Sequence, residues 1–187
     1  MQWLSVWEIT LGNVDRSGLV FALLLVCALA LVSTLGAQRV HDLRKLDPVR
    51  VKARQLTLWL TSAEPRRSAG KAIEPAACGR VSASPGHAGS TWADCLRALQ
   101  EPGQPLSGLV NPLQAHGLAV SGRCERQQFA TLGSIVIERV TRDPSPGSSG
   151  LTRATLSDKQ TLDEVLLLHV AVCGPGFSTL DAAEVRF

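Results

Sequence analysis

The stretch TWADCLRALQ, residues 91–100, places a tryptophan and a cysteine at helical spacing behind a residue that can cap a helix. Cys95 could serve there as a nucleophile, as a metal ligand or as one half of a disulfide. A nucleophilic thiolate needs a base within hydrogen-bond reach. No histidine lies at a diagnostic spacing from Cys95, so the sequence assigns no catalytic residue. Pairing of Cys95 with a distant histidine, in an anchored thiol enzyme, stays open as a minor alternative.

A metal site would have to use Cys78, His87 and Cys95, which are spaced Cys-x8-His-x7-Cys. Structural zinc sites usually contain tighter pairs of cysteines, and the chain has neither a CxxCH nor an HExxH motif. We therefore predict no metal and no cofactor, and we interpret His87 as a solvated loop residue.

Other polar groups suggest no substrate chemistry. His169 lies within an apolar strand, on the face opposite Leu168 and Val170, and is interpreted as a partly buried structural residue. The CGPGFS segment lacks the lysine and the following helix of a phosphate-binding loop. The net charge of +3 is too mild to predict nucleic-acid binding, and no small-molecule substrate is evident.

Disulfides account better for the cysteines. Four of the five cysteines are scattered through a segment rich in Gly, Pro and Ser, without a close pair, which is typical of a disulfide framework outside the cytoplasm. Four cysteines allow three connectivities. We favour Cys78 with Cys95, and Cys124 with Cys173.

The longest uncharged run, residues 17–38, predicts a transmembrane helix. As a helix it would measure about 33 Å, enough to cross a hydrocarbon core of about 30 Å. Trp3 and Trp7, in an N-terminal arm of residues 1–16, would then lie at the membrane interface. The positions expected to face lipid or partner helices are Leu19, Ala22, Leu23, Leu25, Cys27, Ala28 and Ala30.

Two arguments about orientation disagree. The positive-inside tendency, applied to the basic residues that follow the span, places the remainder of the chain in the cytoplasm. These residues are Arg39, Arg44, Lys45, Arg50, Lys52 and Arg54. The cysteines favour the opposite side. We expect a single-pass protein of the bacterial inner membrane whose C-terminal domain is periplasmic or extracellular.

Beyond the span, the pattern predicts an α+β fold with a small, mostly antiparallel sheet. An amphipathic helix extends over residues 39–62, with Asp47 as an N-cap and a kink near Pro48. Residues 63–187 form the disulfide-bonded domain. Within it, residues 64–90 are expected to be a loop, TWADCLRALQ a helix, and three to five strands follow, the strongest over residues 134–141 and 164–173.

This order of elements resembles the type IV pilins and the pseudopilins of type II secretion. The similarity includes WADCLRAL, LVNPL, GRCERQ and GSIVIERV, and the later VAVCG. It implies a non-enzymatic protein that assembles with other subunits through its helix. Gly18 could stand at the cleavage point of a prepilin, but the fifth residue after it is Leu23, where prepilins carry a glutamate.

We therefore expect a membrane-anchored structural protein in a pilus, secretion or cell-envelope assembly. Its partners would be the membrane and other protein subunits, in a homo-oligomeric filament or a hetero-complex. The alternative is a single-span accessory subunit of a larger integral membrane complex.

Overall fold

The computed structural model describes residues 16–79, 90–142 and 150–187, and the chain divides into two units, Met1–His41 and Asp42–Phe187. Helix α1 (Arg16–Lys45) contains the predicted span. After one residue, Leu46, helix α2 begins and covers Asp47–Ser68. The prediction of an apolar helix followed by a helical extension is confirmed in part, since the expected kink near Pro48 is a break at Leu46 between two separate helices.

The predicted start and end of α2 need correction. Leu46 is the N-cap residue, not Asp47, and no side chain caps the helix. Leu46 keeps a helix-like backbone, donates its N–H to the Leu43 carbonyl at 3.1 Å and is fully buried. Packing of Leu46 therefore fixes the break, whereas Asp47 turns its carboxylate to Arg50 at 3.3 Å.

The far end of α2 continues to Ser68, through Pro65, so residues 64–68 are helix and not loop. A short 3-10 turn, Ala76–Cys78, follows, and residues 80–89, with His87, lie outside the described part of the chain. Helix α3 covers Trp92–Leu99, as predicted from TWADCLRALQ.

In the described part of the chain, five strands form a mixed sheet with the order β1-β2-β4-β5. β3 pairs with the same edge of β2 as β1 does. The strands are β1 (Val120–Ser121), β2 (Ile135–Arg142), β3 (Leu151–Thr155), β4 (Leu167–Cys173) and β5 (Thr179–Arg186). Only the two-residue β1 runs parallel to its neighbour among these pairs. The prediction of a small, mostly antiparallel sheet after the helices is confirmed in part, because the sheet that follows them is mixed.

One face of the sheet packs against α2. The apolar stripe of α2 is buried at Val49, Ala53, Leu56, Leu60 and Ala63. These side chains share a core with alternate residues of the central strands, including Ile137 on β2 and Val170 on β4. Alternation along a strand places such residues on one face of the sheet.

Candidate functional site

The surface of α1 is apolar and uncovered. Every side chain of residues 18–40 is exposed, including all seven positions predicted to face lipid or partner helices. The hydroxyls of Ser33 and Thr34 donate to carbonyls of their own helix, at 2.8 and 2.9 Å, so neither needs a water partner. By length and composition, Gly18–Lys45 is able to cross a membrane. Trp3 and Trp7 lie outside the described residues.

Both disulfides join the cysteines that the sequence favours. Cys78 is bonded to Cys95, with their Cα atoms 4.5 Å apart, and Cys124 is bonded to Cys173, with theirs 5.3 Å apart. Cys95 is fully buried, so in this form it is neither a thiolate nucleophile nor a free metal ligand. Among the described residues, no group of three His, Cys, Asp or Glu side chains could hold a metal ion.

A capping box holds the helix that carries Cys95. The Asp94 backbone N–H donates to Thr91 Oγ1 at 3.3 Å, and the Thr91 backbone N–H donates to Asp94 Oδ2 at 3.4 Å. Hydrogen bonds from Thr91 lower the pKa of Asp94 below its usual range. Trp92, which is buried, donates its backbone N–H to the Gln160 carbonyl at 2.8 Å. The Trp–Cys motif therefore anchors α3 beside the sheet.

An ion pair joins the first turns of α2 to β5. Asp181 has a φ of 50° and lies beside a register shift in β5. Its carboxylate accepts hydrogen bonds from the Arg50 guanidinium, and the Arg54 guanidinium lies 3.7 Å from it. The Arg50 hydrogen bond lowers the pKa of Asp181, and both arginine charges act in the same direction. Sequence reasoning missed Asp181, because a bulge that re-aims one side chain has no periodic signal.

Arg67 anchors the last turn of α2. Its side chain is buried, and Nη2 donates to the carbonyls of Leu162 and Glu164, the latter at 2.9 Å. The guanidinium carbon lies 4.5 Å from the centre of the Phe187 ring, and Trp59 contacts the same ring with centroids 5.6 Å apart. The sequence predicts a loop for Arg67, because residues 64–90 are polar and interrupted by Gly, Pro and Ser.

His169 is buried in the middle of β4, more completely than the sequence predicts. It is 1% exposed, and neither ring nitrogen has a hydrogen-bond partner among the described residues. Burial lowers the pKa of His169, with Arg153 acting in the same direction and Glu138 and Glu184 opposing it. The ring is therefore neutral near pH 7 and makes no contact that would suit a general base.

Beyond the carboxyl end of β4, two aromatic rings are in contact at the surface. The rings of Phe129 and Phe177 meet edge to face, with centroids 5.7 Å apart, and Phe129 is 65% exposed. Phe177 has a φ of 59°, unusual for a bulky residue. The Cys124–Cys173 bond lies nearby in sequence on both segments.

Comparison with protein-family models, with curated proteins and with solved structures finds no match. What the chain does must therefore be argued from its own residues. The described surface includes an apolar helix, a disulfide-bonded unit and two aromatic rings in contact, of which Phe129 is exposed.

Proposed function

We propose that this chain is a single-pass, membrane-anchored structural protein, a pilin-like component of a pilus, secretion or cell-envelope assembly. The observation that carries the proposal is α1, whose apolar side chains are all exposed between residues 18 and 40. A monomeric soluble protein rarely exposes so large a continuous apolar surface, so this helix needs lipid or partner helices around it.

The disulfides support an extracytoplasmic location for Asp42–Phe187. Cytosolic reductants keep thiols reduced, whereas disulfides persist in the periplasm and outside the cell. This argument outweighs the basic residues that follow the span, because two of them, Arg50 and Arg54, form ion pairs within the fold. Arg50 and Arg54 hold Asp181, and Lys45 lies 3.7 Å from Asp42.

The arrangement of Asp42–Phe187 also supports the resemblance to pilins. A helix that follows the apolar helix packs on a mostly antiparallel sheet, and a late cysteine of that sheet forms a disulfide. Such a unit presents surfaces on a stable scaffold and leaves the apolar helix to anchor it. That division of roles suits a subunit of an assembly.

A second candidate is a single-span accessory subunit of a larger integral membrane complex. The specific observation in its favour is the composition of the span, which contains no glutamate, with Leu23 at the position where prepilins carry one. In that case α1 would dock statically beside other helices and would not pass through a filament-assembly pathway.

Membrane extraction followed by intact-mass analysis tests these proposals. The full chain should stay in the membrane pellet after alkaline carbonate washing and should be released only by detergent. Release by carbonate would refute the anchor. A mass that corresponds to a chain beginning at Leu19 supports a processed filament subunit, and a mass that retains Met1 supports the accessory subunit.

A further inference from the structure

The aromatic pair beyond β4 lies at the surface, with Phe129 exposed and Phe177 half-buried, and both rings are held firmly. The Cys124–Cys173 disulfide joins the two segments that carry the rings, and the Gly133 N–H donates to the Cys173 carbonyl at 2.8 Å. The Gly174 N–H donates to the Ser178 carbonyl at 2.8 Å, which closes the turn around Phe177. Exposed aromatic rings on a rigid support are the usual anchors of protein interfaces, since little side-chain entropy is lost on binding.

A positive charge lies three residues before Phe129 in the sequence. Arg126 is exposed and forms no ion pair within the described part of the chain, whereas Arg123 is engaged by Glu125 at 2.9 Å. Leu118, which is also exposed, lies next to the Phe129 segment because its N–H donates to the Ala130 carbonyl at 2.8 Å. We call this surface, made of Leu118, Arg126, Phe129 and Phe177, the aromatic patch.

The opposite end of β4 carries a surface of complementary character. Val165 is 46% exposed between Asp163 and Leu166, and Asp163 is exposed without an ion pair to any described residue. Glu164 is engaged by Arg139 at 2.9 Å, which leaves Asp163 as the available charge. We call Asp163 and Val165 the acidic patch.

The acidic patch is also held firmly. Arg67 binds the carbonyls on either side of Asp163, those of Leu162 and Glu164. Leu166 and Phe187 exchange two backbone hydrogen bonds, at 2.6 and 2.8 Å. Both patches are therefore preorganised, and they lie at opposite ends of one strand whose seven residues span about 23 Å at about 3.3 Å per residue.

We propose that the aromatic patch of one copy of this chain binds the acidic patch of the next copy. Val165 would pack on the outer surface of the Phe129 and Phe177 rings, which contact each other edge to face, and Asp163 would pair with Arg126. Because the two patches differ and lie at opposite ends of β4, the contact is head-to-tail and repeats from copy to copy. The inference deepens the proposed assembly function, which it assumes, by naming the partner and the surface.

Photo-cross-linking in membranes tests the contact with the full chain. A benzophenone amino acid in place of Val165 should give adducts of two or more chains, and the cross-linked peptides should include Phe129 or Phe177. The same probe in place of Leu151, which is 54% exposed on β3, is the matched control and should give no such adduct. Cross-links from Val165 only to other polypeptides, or none at all, would overturn the proposal.

A charge-reversal cycle sharpens the test. Arg126→Asp places two carboxylates in the contact, and Asp163→Arg places two guanidinium groups there. Each should reduce the dimer adduct about tenfold, as a like-charge contact that costs about 1.4 kcal/mol would do. The double variant restores opposite charges and should recover the adduct. Failure of the double variant to recover, with both disulfides intact on a non-reducing gel, would contradict the pairing.

The same samples separate this inference from the proposed function. A chain that resists carbonate but gives no dimer adduct refutes the head-to-tail contact and leaves the anchor standing. A chain that carbonate releases but that still forms the adduct refutes the anchor and leaves the contact standing.

Discussion

Replacing Arg67 with alanine should destabilise the Asp42–Phe187 unit by about 3–4 kcal/mol. Arg67 is 1% exposed, and its guanidinium binds two backbone carbonyls and stacks on Phe187. A hydrogen bond from a charged donor contributes about 1.5–3 kcal/mol, and a desolvated cation–π contact contributes about 2 kcal/mol. These contributions share one side chain and are not additive, and the buried charge itself costs desolvation energy, so the net loss is smaller than their sum.

Arg66 provides a matched control, because it is the neighbouring arginine on the same helical turn but is exposed. Arg66→Ala should change the free energy of unfolding by less than about 0.5 kcal/mol. Arg67→Lys keeps the charge but not the planar fork, so it should fall between the wild type and Arg67→Ala.

Thermal unfolding of the full chain in mild detergent, with the disulfides oxidised and tryptophan fluorescence as the signal, measures these differences. At about 2–4 °C per kcal/mol for a domain of this size, Arg67→Ala should lower the midpoint by about 10 °C. If Arg67→Ala unfolds within about 2 °C of Arg66→Ala, the anchoring role assigned to Arg67 is wrong.

Three further perturbations test the interior. Because the pKa of His169 is lowered in the fold, the unfolded chain binds the proton first as the pH falls below about 6.5. The free energy of unfolding, measured by urea titration, should therefore be constant above that pH and fall by up to about 1.4 kcal/mol per pH unit below it. His169→Met should flatten this slope. Replacing Cys78 and Cys95 together with serine should cost about 3 kcal/mol, since the bond closes a loop with a sequence separation of 17; an unchanged urea midpoint would contradict this. Thr91→Ala removes the capping box of α3 and should cost about 1 kcal/mol in the same titration, whereas no change would show that α3 is held by its tertiary contacts alone.

Patterns formed by residues close in sequence predicted much of the fold. The α3 helix follows from Thr91 and Asp94, which cap it as a pair, and β2 and β4 follow from β-branched runs bounded by turn residues. The pairing of the four cysteines was favoured over two alternatives and agrees with the structure. The helix and the strands depend on residues close in sequence, whereas the cysteine pairing joins residues 17 and 49 positions apart.

Features that depend on distant partners could not be predicted in the same way. The end of α2 beyond Pro65 is held by Arg67, whose partners are Leu162, Glu164 and Phe187, about a hundred residues away. Tertiary contacts of this kind override the tendency of proline to end a helix. No pattern in the sequence joins these positions.

Prediction from sequence is limited in the same way for residues whose surroundings come from distant segments. The burial of His169 was underestimated, because alternation along β4 predicts only which face it occupies. Phe129 and Phe177 are separated in sequence, and only the fold shows that their rings meet. The CGPGFS segment lacks the lysine and the helix of a phosphate-binding loop, and in the fold it positions Phe177.

Amine labelling of intact spheroplasts tests the central claim most directly. All four lysines, Lys45, Lys52, Lys71 and Lys159, follow the span, and Lys71 and Lys159 are exposed in the disulfide-bonded unit. If this unit is anchored outside the cytoplasm, a membrane-impermeant amine reagent should modify Lys71 and Lys159 in sealed spheroplasts, as read by peptide mapping. Modification of these lysines only after the membrane is permeabilised would place the unit in the cytoplasm and contradict the account.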